Sequence, residues 1–204
     1  MRRSRSWLAL VAVVLSVTGC SYSVNGAPVA APDAPAATCL SGAPSPSAPP
    51  TRPSSSSSKA AAKIAHTCSL ADLDSCELLS AKDLKVVGTI DGEPTPRDSD
   101  LAGSCQFMFD DGSATRSSVV VAPYRPYSES RTKQPGGHEE VVEGNSAWVS
   151  CEMDDRVMVC TATLAVSSDK SLLLGYTKSA GNAEEMTATM LVLLKTGLGK
   201  LPPA

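Results

Sequence analysis

A short apolar run near the start of the chain sets the conditions under which everything after it folds. Trp7 to Val17 is apolar over eleven residues, Arg2, Arg3 and Arg5 precede it, and Thr18-Gly19 leads from it into Cys20. A basic start, an apolar stretch of this length and small residues before a cut mark a secretory signal peptide over residues 1–19. Eleven residues are too few to span a bilayer, which takes roughly 20, and no other run approaches that length. The rest of the chain is therefore expected outside the cytoplasm, in an oxidising setting where cysteines pair. There are seven cysteines, so the export signal turns cysteine placement into a fold constraint.

Val17-Thr18-Gly19-Cys20 resembles the lipobox of bacterial lipoproteins. The resemblance implies that the Cys20 thiol receives a diacylglycerol, that the signal is cut before it, and that the new amino group is acylated, palmitate being the expected kind of chain. The expected location is the cell membrane, lipid-anchored at its extracytoplasmic face. Two or three acyl chains hold durably where one does not, because each buried methylene contributes about 0.8 kcal/mol. Removing the three signal arginines from 18 basic residues leaves 15 against 21 acidic ones, a net charge of −6. A mildly acidic body argues against nucleic acid as a partner, because that needs clustered Lys or Arg.

Composition changes sharply after Cys20. Residues 20–67 are rich in Pro, Ala and Ser, as in Ala43-Pro44-Ser45-Pro46-Ser47-Ala48-Pro49-Pro50 and the run Ser54–Ser58. Without apolar periodicity such a segment cannot bury enough surface to offset its ordering entropy, so it reads as a disordered tether. About 40 residues at roughly 3 Å each could hold a domain on the order of 100 Å from the membrane. Ser with Pro is also the composition of O-glycosylated stalks.

Residues 68–201 are long enough for one globular domain. Ser80-Ala81-Lys82-Asp83 has the form of a helix start, Leu84, Val86 and Val87 follow, and Gly88 stops it. Gly92 to Gly103 reads as a loop. Strands are expected at 105–109, 117–122, 139–144, 147–151, 156–166 and 171–177, with turns at Asp110-Asp111-Gly112, Asn145, Asp154-Asp155 and Ser168-Asp169. The stretch 123–137 reads as a long polar connection. Asn182 caps a helix to Leu198 with Glu185 at the capping-box position, and Met186, Met190, Leu193, Leu194 and Gly197 share one face. The expected class is α+β: an antiparallel meander of about five to six strands packed against a short N-terminal helix and an amphipathic C-terminal helix.

Setting Cys20 aside for lipid leaves six cysteines, up to three disulfides and 15 connectivities. Cys151 and Cys160 flank the Asp154-Asp155-Arg156-Val157 turn. A hairpin centred between Asp155 and Arg156 puts them directly opposite each other, within disulfide reach. Cys76 and Cys105 bracket the first helix and the proline loop and form the next pair. Cys39 and Cys68 remain by elimination, and Cys39 pairs either with Cys68 or with another molecule.

Asp74-Ser75-Cys76-Glu77-Leu78-Leu79-Ser80, then Asp83-Leu84 and Gly88, then Gly103-Ser104-Cys105-Gln106-Phe107 resemble a family of actinobacterial envelope lipoproteins of unknown function. Val24-Asn25-Gly26-Ala27-Pro28 is similar to the same group. The resemblance implies a Cys76–Cys105 bond and no particular activity.

Chemistry is sparse. The two histidines, His66 in the tether and His138 in a loop after Gly136-Gly137, show no ligand spacing, and no C-x-x-C occurs, so neither a metal nor a cofactor is expected. Nucleophile-elbow, phosphate-loop and metalloprotease motifs are absent from the sequence. Glu139-Glu140, Asp154-Asp155 and Glu184-Glu185 are sequence neighbours, and neighbouring strand residues point to opposite faces, which works against a shared-proton dyad. An enzyme is therefore not expected. Two classes remain: a tethered module binding an envelope protein or other ligand, and a carrier of a small apolar ligand, lipid or envelope polymer, or in second place an enzyme, with a cavity between sheet and helix.

Overall fold

The computed structural model describes residues 38–41, 61–98, 101–110 and 117–204. The chain divides into Met1–Pro35 and Ala36–Ala204. Residues 1–19, expected to be a signal peptide, and Cys20 fall in the first unit and lie outside the described residues, as does most of the Pro/Ser segment.

The second unit is α+β. Its strands are β1 (Thr89–Ile90), β2 (Thr95–Pro96), β3 (Cys105–Asp110), β4 (Ser117–Tyr124), β5 (His138–Val142), β6 (Asn145–Asp154), β7 (Val157–Ala165) and β8 (Ser171–Ser179). Its helices are α1 (Ser75–Leu78), α2 (Tyr127–Lys133) and α3 (Ala183–Leu198). All eight strands join one antiparallel sheet in the order β1-β3-β4-β8-β7-β6-β5, with β2 also on β3. The expected five to six strands become eight because two two-residue strands, too short to leave a period in the sequence, pair with β3. Nor is the sheet one continuous meander. The β4–β5 connection crosses to the far edge, the chain meanders back through β6 and β7, and β8 arrives beside β4.

Alternation places Cys105, Phe107, Phe109, Val119, Val121, Ala147, Val149, Cys160, Ala162, Leu164, Leu172, Leu174 and Tyr176 in the core. Register keeps them on one face: Phe107 lies opposite Val119, Val119 opposite Tyr176 and Tyr176 opposite Cys160. Met186, Met190, Leu193, Leu194 and Leu198 of α3 close that face, all of them buried. Asn182 accepts the Glu185 amide at 3.1 Å and caps α3. The Ser80–Asp83 pair forms reciprocal hydrogen bonds, the Ser80 N–H donating to Asp83 Oδ2 at 2.8 Å and the Asp83 N–H to Ser80 Oγ at 3.4 Å. What it opens is a 3-10 turn, Asp83–Val86, while the α-helical turn lies earlier at α1.

Disulfides join Cys39 to Cys68, Cys76 to Cys105 and Cys151 to Cys160. Asp154 pairs with Val157, leaving Asp155-Arg156 as the turn and Cys151 opposite Cys160. Residues 61–67, assigned above to the tether, are a strap on the sheet end. The Lys63 N–H donates to Ser146 Oγ and the Ser146 N–H to the Lys63 carbonyl, each at 2.8 Å. The Thr67 carbonyl accepts the Ala204 amide at 3.1 Å. His66 thus sits in this strap, and His138 opens β5 instead of lying in a loop.

Candidate functional site

The space between α3 and the sheet is occupied by side chains that are at most 1% exposed, among them Met186, Met190, Leu193 and Leu194. Open space lies instead where the strap, the end of β4 and the β7–β8 turn converge. A cleft of about 840 Å³ is walled by Leu70, Leu101, Pro123 and Tyr124, with Arg125 and Lys170 at its polar side. A second cleft, about 310 Å³, is bounded by Ile64, Tyr127, Arg131 and Ser168, and Ser167 lines both. The turn between them is shaped by Ser167, whose hydroxyl donates to Asp169 at 2.8 Å and accepts the Lys170 amide at 3.0 Å. Apolar walls with Arg125, Lys170 and the Asp169 carboxylate at the edge suit a partner that is part apolar and part polar.

Helix α2 floors the smaller cleft and packs on the sheet face opposite α3. Its contacts are polar. The Trp148 indole N–H donates to the Gln134 carbonyl at 2.9 Å, Gln134 Nε2 to Thr161 Oγ1 at 2.6 Å, and the Arg131 guanidinium lies 5.2 Å from the Trp148 ring centroid. Gly137 makes this approach feasible: a Cβ there would stand 2.4 Å from Trp148 Nε1. Burial pushes the Tyr127 phenol up to about 12, the Glu139 carboxylate adds to the rise, and Arg131 and the Ser146 hydroxyl oppose it. Ser146 donates its own proton to Glu139 at 2.7 Å. Tyr127 Oη, Ser130 Oγ, Gln134 Oε1 and Thr163 Oγ1 are buried at this interface without a bond of good geometry. The seam under α2 therefore buries several polar groups together.

A third depression, about 520 Å³, lies between β5 and α3, with His138, Glu140, Cys151, Thr187 and Leu191 on its walls. His138 Nε2 stands 3.4 Å from Glu140 Oε1, both side chains well exposed. An imidazole beside a carboxylate can move a proton, but the sulfur beside it belongs to a disulfide, and Thr187 Oγ1 contacts that sulfur at 3.7 Å. Glu139, by contrast, is held by Ser146 on the opposite face of β5, so the two glutamates do not meet. Among the described residues, no group of three or more His, Cys, Asp or Glu could hold a metal ion.

Of the singled-out cysteines, Cys20 lies outside the described residues and the other six are bonded in pairs that hold the fold together. Sequence reasoning missed Tyr127, Trp148 and the whole of α2, and it took Asn145 for a turn residue.

The fold and its clefts define a disulfide-bonded α+β domain with binding-sized depressions at one end of a single sheet. A family model described as "Protein of unknown function (DUF3558)" matches residues 15–188, and the chain belongs to that family. No curated protein and no solved structure matches it.

Proposed function

We propose that this is an exported lipoprotein, anchored through acylated Cys20 to the extracytoplasmic face of the cell membrane, whose folded body is a binding module for an envelope component. The observation that carries the binding role is the pair of adjoining clefts beside the strap, open to solvent and walled by apolar side chains with charged groups of both signs at the edge. What favours a module over an apolar-ligand carrier is the filled space beneath α3, where a carrier would keep its cavity. The anchor reading rests on the leader and on Val17-Thr18-Gly19-Cys20.

A photo-reactive residue at Lys170, on the cleft rim, tests the binding role in intact envelopes. Met153 is the control, 54% exposed and at the opposite end of the sheet. The expected result is a defined adduct from position 170 and none from 153. Equal labelling, or none from 170, refutes the cleft as the binding face, and lipid co-extracted from Cys20→Ala protein would restore the carrier. For the anchor, Cys20→Ala is expected to move the protein from the membrane to the soluble fraction; retention in the membrane refutes it.

A further inference from the structure

Cys39 lies far out in the segment that composition assigns to a tether, yet it is 5% exposed, and its partner Cys68 is 2% exposed. The Cys39 N–H donates to the Leu201 carbonyl at 2.7 Å, and Leu40 packs on the core beside Gly199. Cys68 is itself fixed, its N–H donating to the Val166 carbonyl at 2.9 Å and its backbone bridging to Pro203. The chain is therefore attached to the body at two places, first at 39–41 and again from Lys63 onward. Residues between those places begin and end on the body, so they cannot add to its distance from any point nearer the N-terminus.

We infer that the Cys39–Cys68 disulfide is a length-setting clip, which restricts the working tether to the stretch between Cys20 and Cys39. This rests on the reading that Cys20 carries the lipid. Nineteen peptide links separate Cys20 from Cys39, and at most about 3.6 Å per link bounds the reach at roughly 70 Å. Without the clip the first attachment is Lys63, 43 links from Cys20, and the same bound becomes roughly 155 Å. Reach thus falls by a factor of about 2.3 for extended chain, and by about 1.5 if distance grows as the square root of length. Cys68 also lines the larger cleft, so the clip joins the tether to the body at the proposed binding face. Partners of that cleft must then lie in the membrane-proximal layer of the envelope. Both sulfurs are shielded from solvent, which makes the clip a permanent setting instead of a redox switch.

The test uses acylated full-length protein on a supported bilayer, with the distance of the body read by neutron reflectometry. One variant carries about 20 extra Gly/Ser residues between Pro35 and Ala36, another the same insert between Ser54 and Ser55. The expected result is a distance about 1.4-fold larger for the first and unchanged for the second, because only the first insert lies on the membrane side of the clip. Cys39→Ala with Cys68→Ala should make the second insert as effective as the first, and thermal melting reports whether that variant still folds. Equal lengthening by both inserts in the disulfide-intact protein overturns the clip. Failure of the anchor reading shows up separately, as protein that does not bind the bilayer at all. The same inserts are then compared by small-angle scattering, where the clip requires that only the first clearly raises the maximum dimension.

Discussion

Asn145 is fully buried, and its side-chain amide makes three hydrogen bonds. Its Oδ1 accepts the His66 N–H, and its Nδ2 donates to the carbonyls of His66 and Ala165, each at 2.8 Å. One side chain therefore ties the strap to the start of β6 and the end of β7. Beside it, Gly144 adopts φ +85°, and a Cβ there would meet Ala65 at 2.7 Å, so the turn and the strap fit only together. Asn145→Ala leaves a donor and two carbonyls unpaired in the interior, and we expect a loss of about 2–4 kcal/mol in chemical denaturation. Asp83 shows a different dependence. Burial acts to raise its pKa, but hydrogen bonds from Lys200 and Ser80, together with the Lys200 charge, outweigh it and hold it down to about 2 from 3.8. A folded-state pKa below the unfolded one stabilises the protein above the unfolded value, and that contribution is lost as pH falls from about 4 to about 2. The Asp83 and Lys200 side chains are 19% and 38% exposed, and solvent screening limits the contribution to about 1 kcal/mol. Asp83→Asn should lower the melting temperature by about 3 °C at pH 7 and by almost nothing at pH 2.

At the scale of elements, α2 is the instructive case. Tyr-Ser-Glu-Ser-Arg-Thr-Lys offers no apolar stripe, and only Tyr127 and Ser130 are buried, so periodicity has nothing to register. The helix is held by side chains remote in sequence, Trp148 above all. Trp148→Phe keeps a ring under Arg131 but removes the indole donor to the Gln134 carbonyl. We expect a loss of about 1 kcal/mol and faster hydrogen exchange in α2 and the turn after it, with the core of β7 unchanged; uniform acceleration would mean that the bond supports the whole sheet. The same contrast explains what the sequence could and could not convey. Strands β3, β4 and β6–β8 were legible because core-facing residues recur along them at strand spacing, and α3 was legible because its Met/Leu stripe has helical spacing and Asn182 caps it. Strands β1 and β2 are too short to carry a period, and the β4–β8 pairing joins residues 47 to 59 positions apart, from Tyr124–Ser171 to Ser118–Thr177, which local pattern does not encode. The clefts were illegible for the same reason, being built where the strap, the β4–α2 connection and the β7–β8 turn meet.

For the whole molecule, the three disulfides are distributed unequally with respect to what the sheet already secures. Cys151–Cys160 spans 9 positions across a hairpin whose strands are also paired at seven other register positions, Asp154–Val157 through Ala147–Leu164. Cys76–Cys105 spans 29 positions and joins α1 to β3 across the 3-10 turn, β1 and β2, a region with little regular pairing of its own. Loop-closure entropy assigns about 2.7 kcal/mol to the shorter loop and about 3.6 kcal/mol to the longer. Packing widens the gap, because freeing α1 also loosens Leu78 from its contacts near Gly197 and Leu172, while the β6–β7 ladder survives loss of its cross-link. Cys76→Ala with Cys105→Ala should therefore lower the guanidinium midpoint more than Cys151→Ala with Cys160→Ala, and hydrogen exchange in the first variant should rise selectively over residues 75–98. If the hairpin pair proves the costlier to remove, strand pairing does not hold β6 and β7 together unaided. The cross-strand bond would then be a condition of forming the sheet and not a reinforcement of it.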